Sequence, residues 1–296
     1  GLRDLIDAIS KDLLPEEMAA TKALIMPPKQ SPEIDDISRI TSLNAIRAAI
    51  GAEWLGDVLR ESRLNSAFQP IFPISDFTAP YGHECLLRGV AADGSEITPG
   101  QLFDAAQSAT LLFQLDRAAR AANVRNAHKV GVTGNLFINF TPSSIYDPDF
   151  CLRSTIEVVE ECQIDRSSIV FEVIETEKVR STSHLGHILR SYRDSGFRVA
   201  LDDVGSGYST LNMLPDLRPD IIKIDRELID HVDHDNYKQA IVSKLIDLAK
   251  QLGIEVIAEG IERQEELDFL TEHKVDYVQG FLLGRPGPKP FTTGRA

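Results

Sequence analysis

Arg198-Val-Ala-Leu-Asp-Asp-Val-Gly-Ser-Gly-Tyr-Ser-Thr210 is an apolar strand that runs into two adjacent carboxylates, Asp202 and Asp203, and then into a glycine-rich loop. Adjacent aspartates at a strand end repel each other, so the arrangement is costly unless a cation lies between them. Hard oxygen ligands suit Mg²⁺, Mn²⁺ or Ca²⁺. An isolated pair would read as a solvated turn. This pair has company.

Short apolar runs recur at 67–72, 81–88, 136–140, 169–174, 199–203, 221–225, 255–260 and 277–283. Between them, helical spacing of apolar residues is found at 99–122, 148–163, 183–195, 237–252 and 263–273. Eight strand candidates with helical crossovers predict a (β/α)₈ TIM-type barrel, with a large doubly wound sheet as the alternative.

Polar residues punctuate these strands in one consistent place. Asn139 follows Phe-Ile, Glu172 follows Ile-Val-Phe, and Asp202-Asp203 follow Val-Ala-Leu. Lys223 follows Ile-Ile, Glu259 follows Val-Ile-Ala, and Gln279 follows Tyr-Val. In a parallel barrel the carboxyl ends of the strands converge on one face, where catalytic residues gather. Carboxylates and amide oxygens without clustered His or Cys select a hard divalent metal. A pair such as Asp202-Asp203 can hold two cations about 4 Å apart, an arrangement used for phosphate-ester hydrolysis. Lys223 either orients the attacking water and neutralises developing charge, or pairs with the acids. Residue types alone leave both roles open.

The chain has 296 residues, 43% of them hydrophobic, which suits one large domain with a smaller appendage. A net charge of −14 argues against duplex nucleic acid as a partner. A small phosphate ligand stays compatible with it, because a metal supplies positive charge locally. Cys85, Cys151 and Cys162 are odd in number and lack CxxC spacing, which points to a reducing, cytoplasmic setting. No apolar run reaches the length of a membrane span, and the start lacks a signal-peptide pattern. The chain opens on Gly1, which fits a processed protein or a cut piece with a sensor upstream.

Residues 1–64 read as a helical amino-terminal segment. Helical spacing runs through 2–14 and 15–25, with Pro15 placed to open a helix, and 26–32 is a breaker cluster and linker. From 37 to 64 the spacing predicts an amphipathic helix, interrupted at Gly51 or Gly56. It either packs on its own domain or serves as a dimerising connector.

Glu84-Cys-Leu-Leu-Arg88 resembles the signature of the EAL-domain cyclic di-GMP phosphodiesterases, with Cys85 where the name-giving Ala sits. The resemblance continues through Gln69-Pro-Ile71, Phe137-Ile-Asn-Phe-Thr-Pro142, Glu172-Val-Ile-Glu175 and Asp202-Asp-Val-Gly-Ser-Gly-Tyr-Ser-Thr-Leu211. It runs on through Ile222-Lys-Ile-Asp225, Ala258-Glu-Gly-Ile-Glu262, Val278-Gln-Gly-Phe281 and Arg285-Pro286, covering 65–290 and leaving 291–296 as a tail.

The resemblance implies hydrolysis of cyclic di-GMP to linear pGpG by a homodimer that uses Mg²⁺ or Mn²⁺ and is inhibited by Ca²⁺. By position it implies that Glu84, Asn139, Glu172 and Asp202 ligate one metal. Asp202, Asp203 and Glu259 would hold the second. Lys223 would contact the nucleophilic water, and Glu175 would hold the 203–209 loop. Gln69 and Arg88 would grip the dinucleotide, with Asn139 and Gln279 beside it. The family's first barrel strand is antiparallel, which nothing in the spacing here shows.

The departures concern rate and affinity. Val204 stands where the family has Phe, which predicts weaker packing of the 203–209 loop. Gly89-Val90 replaces a bulky aromatic, and Ala105-Ala106 lacks the acid usual in the next helix. A cyclic di-GMP receptor without turnover is the alternative reading. His184-x-x-His187 and His231-x-x-His234 read as solvated histidines, and no Gly-Gly-Asp-Glu-Phe signature of a diguanylate cyclase occurs.

Overall fold

The structure is a computed structural model that describes residues 2–26, 33, 36, 40–145, 147–174, 182–205 and 210–291. It divides into two compact units, Gly1–Arg63 with Gly89–Leu115, and Leu64–Arg88 with Asp116–Ala296.

In the second unit eight strands close into a ring. In chain order they are β1 (Leu64–Pro73), β2 (Gly82–Val90), β3 (Asn135–Asn139), β4 (Ile169–Ile174), β5 (Arg198–Val204), β6 (Ile221–Ile224), β7 (Glu255–Ala258) and β8 (Tyr277–Val278). They neighbour one another in the order β1-β8-β7-β6-β5-β4-β3-β2, and a β1–β2 pairing completes the circle. All pairings from β2 round to β8 are parallel. β1 runs antiparallel to β8, with Pro73 opposite Tyr277 and Phe72 opposite Val278. Closure rules out the doubly wound sheet.

Strand alternation explains where the polar residues go. Ile71, Phe137, Val170, Ala200, Ile221 and Ile257 form one buried cluster, with Tyr81 and Tyr277 packed against it. Side chains two residues apart on a strand share a face. Two residues beyond Phe137, Val170, Ala200, Ile221, Ile257 and Tyr277 stand Asn139, Glu172, Asp202, Lys223, Glu259 and Gln279. On the reversed β1 the same step runs backward, from Ile71 to Gln69. An apolar layer therefore carries a polar layer above it.

Four expected helices are found as Pro148–Glu161, Thr182–Asp194, Asn236–Leu252 and Gln264–Glu272. Asp235 starts the third by accepting from the backbone N–H of Tyr237 and Lys238, and Gly253 ends it at φ 71°. The single helix expected at 99–122 is instead two, Pro99–Ser108 and Leu112–Val130. Thr110 between them adopts φ 60°, a left-handed conformation that a helix cannot contain. Two further helices escaped the sequence reading, Thr210–Leu217, which contains Pro215, and the short Arg226–Ile229.

In the first unit, Ile6, Met18, Leu43, Ile46 and Ile50 make a small core with Leu13 and Ala23 against it. The helix expected across 37–64 is two helices, Leu43–Gly51 and Glu53–Arg60. The interruption falls at Ala52 (φ −100°, ψ 9°), beside Gly51, while Gly56 lies inside the second helix. Leu64 already belongs to β1. Positions 37–39, and 27–32 of the expected linker, lie outside the described residues. Among the described residues no helix is long and apolar enough to cross a membrane.

Candidate active site

Lys223 lies at the centre of the polar layer and is 1% exposed. Its Nζ is 2.7 Å from Glu172 Oε1, 2.7 Å from Glu259 Oε1, 3.0 Å from Asp202 Oδ1 and 3.8 Å from Glu84 Oε2. Glu84 is fixed from two more sides. Asn139 Nδ2 donates to its Oε1 at 3.1 Å, and Gln279 Nε2 donates to its Oε2 at 2.7 Å. Gly280 explains the tight placement of Gln279, because a Cβ there would lie 2.1 Å from the Ile261 carbonyl oxygen.

Strict alternation would send Asp202 and Asp203 to opposite faces of β5. The β5–β6 register slips between Leu201 and Val204, and Asp203 adopts φ 56°. A bulge of this kind re-aims a side chain. As a result, carboxylate oxygens of Asp202, Asp203 and Glu259 come within 4.8 Å of one another. Val204 is buried and pairs with Ile224, so this strand end is packed despite its smaller side chain. Loop residues 206–209, and Glu175, lie outside the described residues.

A cavity of about 270 Å³ opens above the cluster, lined in part by Gln69, Glu84, Asp203, Glu259 and Gln279. Asn139, Glu172, Asp202 and Lys223 are not part of this lining; the last three are buried and Asn139 is half-buried. Gln69 Nε2 donates to the Gly284 carbonyl at 3.3 Å. Arg88 Nη1 donates to the Leu87 carbonyl at 2.8 Å and is not part of the described cavity wall. Sequence reasoning assigned no role to Asp225, Arg226, Glu262 or Phe281, which also line the cavity. The signal was present, since three of them end quoted motifs. Arg226 Nη2 pairs with Glu262 Oε1 at 2.9 Å at the rim.

The electrostatics follow from too many acids for one lysine. Burial pushes the Glu172 carboxyl well above its usual range, with Lys223 opposing and Glu84 and Asp202 adding to the rise. Burial, helped by Asp202 and Asp225, lifts Asp203 to about 6. Burial lifts Glu259 to about 8 against the pull of Lys223. For Lys223 burial acts downward, but Asp202, Glu172, Glu259 and Glu84 together outweigh it and hold the ammonium well above its usual range. The Cys85 thiol is pushed well up by burial, then by Glu172 and Glu84, which makes it an inert core residue.

A divalent cation fits these residues. Glu172 is fully buried, and its Oε2 has no hydrogen-bond partner among the described residues. A buried carboxylate in such company needs positive charge, and the donors are all hard oxygens. The histidines do not compete. His231 comes near Asp230 and Glu266, but the Glu266 carboxylate already accepts from the N–H groups of His231, Glu262 and Arg263.

Fold and site together define a barrel protein with an acidic, oxygen-donor site at the carboxyl ends of its strands. The chain belongs to the EAL domain family, which matches residues 52–286. It is 31% identical over 252 residues to the probable cyclic di-GMP phosphodiesterase PdeG of Escherichia coli (strain K12), covering 81% of this chain and 48% of that protein. It is also 31% identical over 214 residues to the bifunctional diguanylate cyclase/cyclic di-GMP phosphodiesterase MucR of Pseudomonas aeruginosa, covering 70% and 31%. The c-di-GMP-bound standalone versatile EAL protein from Vibrio cholerae O395 has a similar structure, with a TM-score of 0.70 and 32% identity. That match covers 78% of this chain and 95% of the other. The chain spans about half, or less, of the length of these two curated relatives.

Proposed function

We propose that this chain hydrolyses one phosphodiester bond of cyclic di-GMP, releasing linear pGpG. The observation that carries the reading is the crowd of buried carboxylates around Lys223 at the carboxyl ends of an EAL barrel. Relatives named as cyclic di-GMP phosphodiesterases and the c-di-GMP-bound neighbour support it. Glu84, Asn139, Glu172, Asp202, Asp203 and Glu259 are the residues that would hold Mg²⁺ or Mn²⁺. When bound, the cations supply water activation and neutralise charge on the phosphate.

The chain's own residues do the rest. Lys223 is protonated at neutral pH, so it acts as a donor that orients water and offsets developing charge, not as a base. Glu259 borders the cavity and, in the ionised form that a bound cation would favour, is our candidate for accepting a proton from the attacking water. Gln69 and Gln279 present amides to the dinucleotide from the walls, whereas a grip by Arg88 rests on the motif resemblance alone.

The test is incubation of the chain with cyclic di-GMP and Mg²⁺ or Mn²⁺, followed by chromatographic separation of products. We expect pGpG in both metals, none after chelation, and inhibition by Ca²⁺, which accepts the same oxygens but in looser geometry. Binding of cyclic di-GMP without turnover in any metal would replace this reading with that of a receptor.

A further inference from the structure

Helix Leu112–Val130 carries a polar pair deep inside the barrel unit, away from the cavity. Asp116 is 2% exposed and Arg120 is not exposed at all. Arg120 Nε donates to Asp116 Oδ2 at 3.0 Å, and its Nη1 donates to Thr155 Oγ1 at 2.7 Å. Nη1 also reaches the Cys151 carbonyl at 3.5 Å, so the guanidinium ties this helix to Pro148–Glu161. A buried ion pair is a poor stabiliser, because hydrophobic residues of similar volume do as well or better. Its retention calls for another task.

The task is visible in the second Asp116 oxygen. Asp116 Oδ1 accepts the backbone N–H of Thr141 at 2.7 Å. Thr141 stands two residues past Asn139, the last residue of β3. The intervening Phe140 donates its N–H to the Glu172 carbonyl at 3.1 Å. Its ring stacks on Tyr192, with centroids 5.1 Å apart. The turn that aims Asn139 at Glu84 is thus fixed at two successive peptide groups, one of them by Asp116.

We infer that Asp116, held by Arg120, is a positioning residue that sets the Asn139 amide for divalent cation binding. The inference rests on the proposed metal-dependent function but is read out by cation binding alone. Partners of this outer kind are worth about 10–100-fold in metal affinity.

The experiment compares two double variants of the full chain, neither leaving a buried charge. Asp116→Asn with Arg120→Met keeps an oxygen for the Thr141 N–H. Asp116→Leu with Arg120→Met removes it. Mn²⁺ titration is expected to show affinity about ten-fold or more weaker in the leucine variant than in the asparagine variant, with Tm values closely matched. Asp116→Glu keeps the charge, displaces the acceptor by one methylene, and is expected to weaken Mn²⁺ in the same way if the leucine variant does not fold. Equal Mn²⁺ affinity in the paired variants, parent affinity in Asp116→Glu, or losses that simply track Tm would each overturn the inference. A chain that binds Mn²⁺ as expected but hydrolyses nothing would count against the proposed function and leave this inference intact.

Discussion

At the scale of single residues, Lys223 decides how the site behaves without metal. Its ammonium is the partner of Glu172, Glu259 and Asp202 at once. Removing one partner of a buried ionic group leaves uncompensated charge, which costs about 3–5 kcal/mol. Lys223→Ala should therefore lower the Tm of the metal-free chain and regain part of it on adding Mn²⁺. Its kcat should fall about 100-fold or more while KM changes little, as expected for a group that acts on the water. Steady-state kinetics and calorimetry on the same preparation check both. A parent kcat would remove Lys223 from the reaction.

At the scale of elements, the end of β5 does what two adjacent aspartates cannot do in a regular strand. The slip between Leu201 and Val204 and the left-handed Asp203 bring both carboxylates to one side. Asn tolerates φ near +56°, whereas a β-branched residue does not. Asp203→Asn should keep the parent Tm and weaken Mn²⁺ binding by about ten-fold, because only charge is lost. Asp203→Val should lower both, by about 1–3 kcal/mol in stability. Thermal melts beside Mn²⁺ titrations separate backbone strain from the ligand role. Val204 is a second case. It is 1% exposed, so Val204→Phe should cost about 1–3 kcal/mol through overpacking, seen as a lower midpoint in urea unfolding.

At the scale of the whole molecule, charge and chain path set the consequences. Asp203 and Glu259 have folded-state values of about 6 and about 8, above their ordinary ones. Their protonated forms favour the folded state, so the metal-free chain loses this stability as pH rises from about 4 through 8. A divalent cation reverses the sign by favouring the ionised forms. The Tm gain from Mg²⁺ should therefore be larger at pH 8 than at pH 5.5, and a gain that shrinks with pH would contradict the site. Chain path gives a separate expectation. Gly89–Leu115 belongs to the same unit as Gly1–Arg63, and its Leu102 and Ala106 are fully buried. Deleting residues 1–60 should expose them and lower solubility, measured by light scattering, although no proposed ligand is removed.

Much of this was legible in the chain. Short apolar runs that end in Asn139, Glu172, Lys223 and Glu259 announce both the strands and the ends at which their polar side chains emerge. The motif resemblance supplied Gln69, Glu84 and Arg88, which spacing alone does not single out. Local pattern could not give the break at Thr110, since a left-handed threonine carries no sequence signal, nor the break of the amino-terminal helix at Ala52 rather than Gly56. The sequence by itself determined the eight strands, the hard-oxygen donor set and the excess of acid over base, all properties of residue type and short-range period. Tertiary structure alone decided that Lys223 contacts three acids at once, that a bulge turns Asp203 beside Asp202, and that Asp116 reaches Thr141. Those depend on ring closure and register, which bring together residues that the chain keeps far apart.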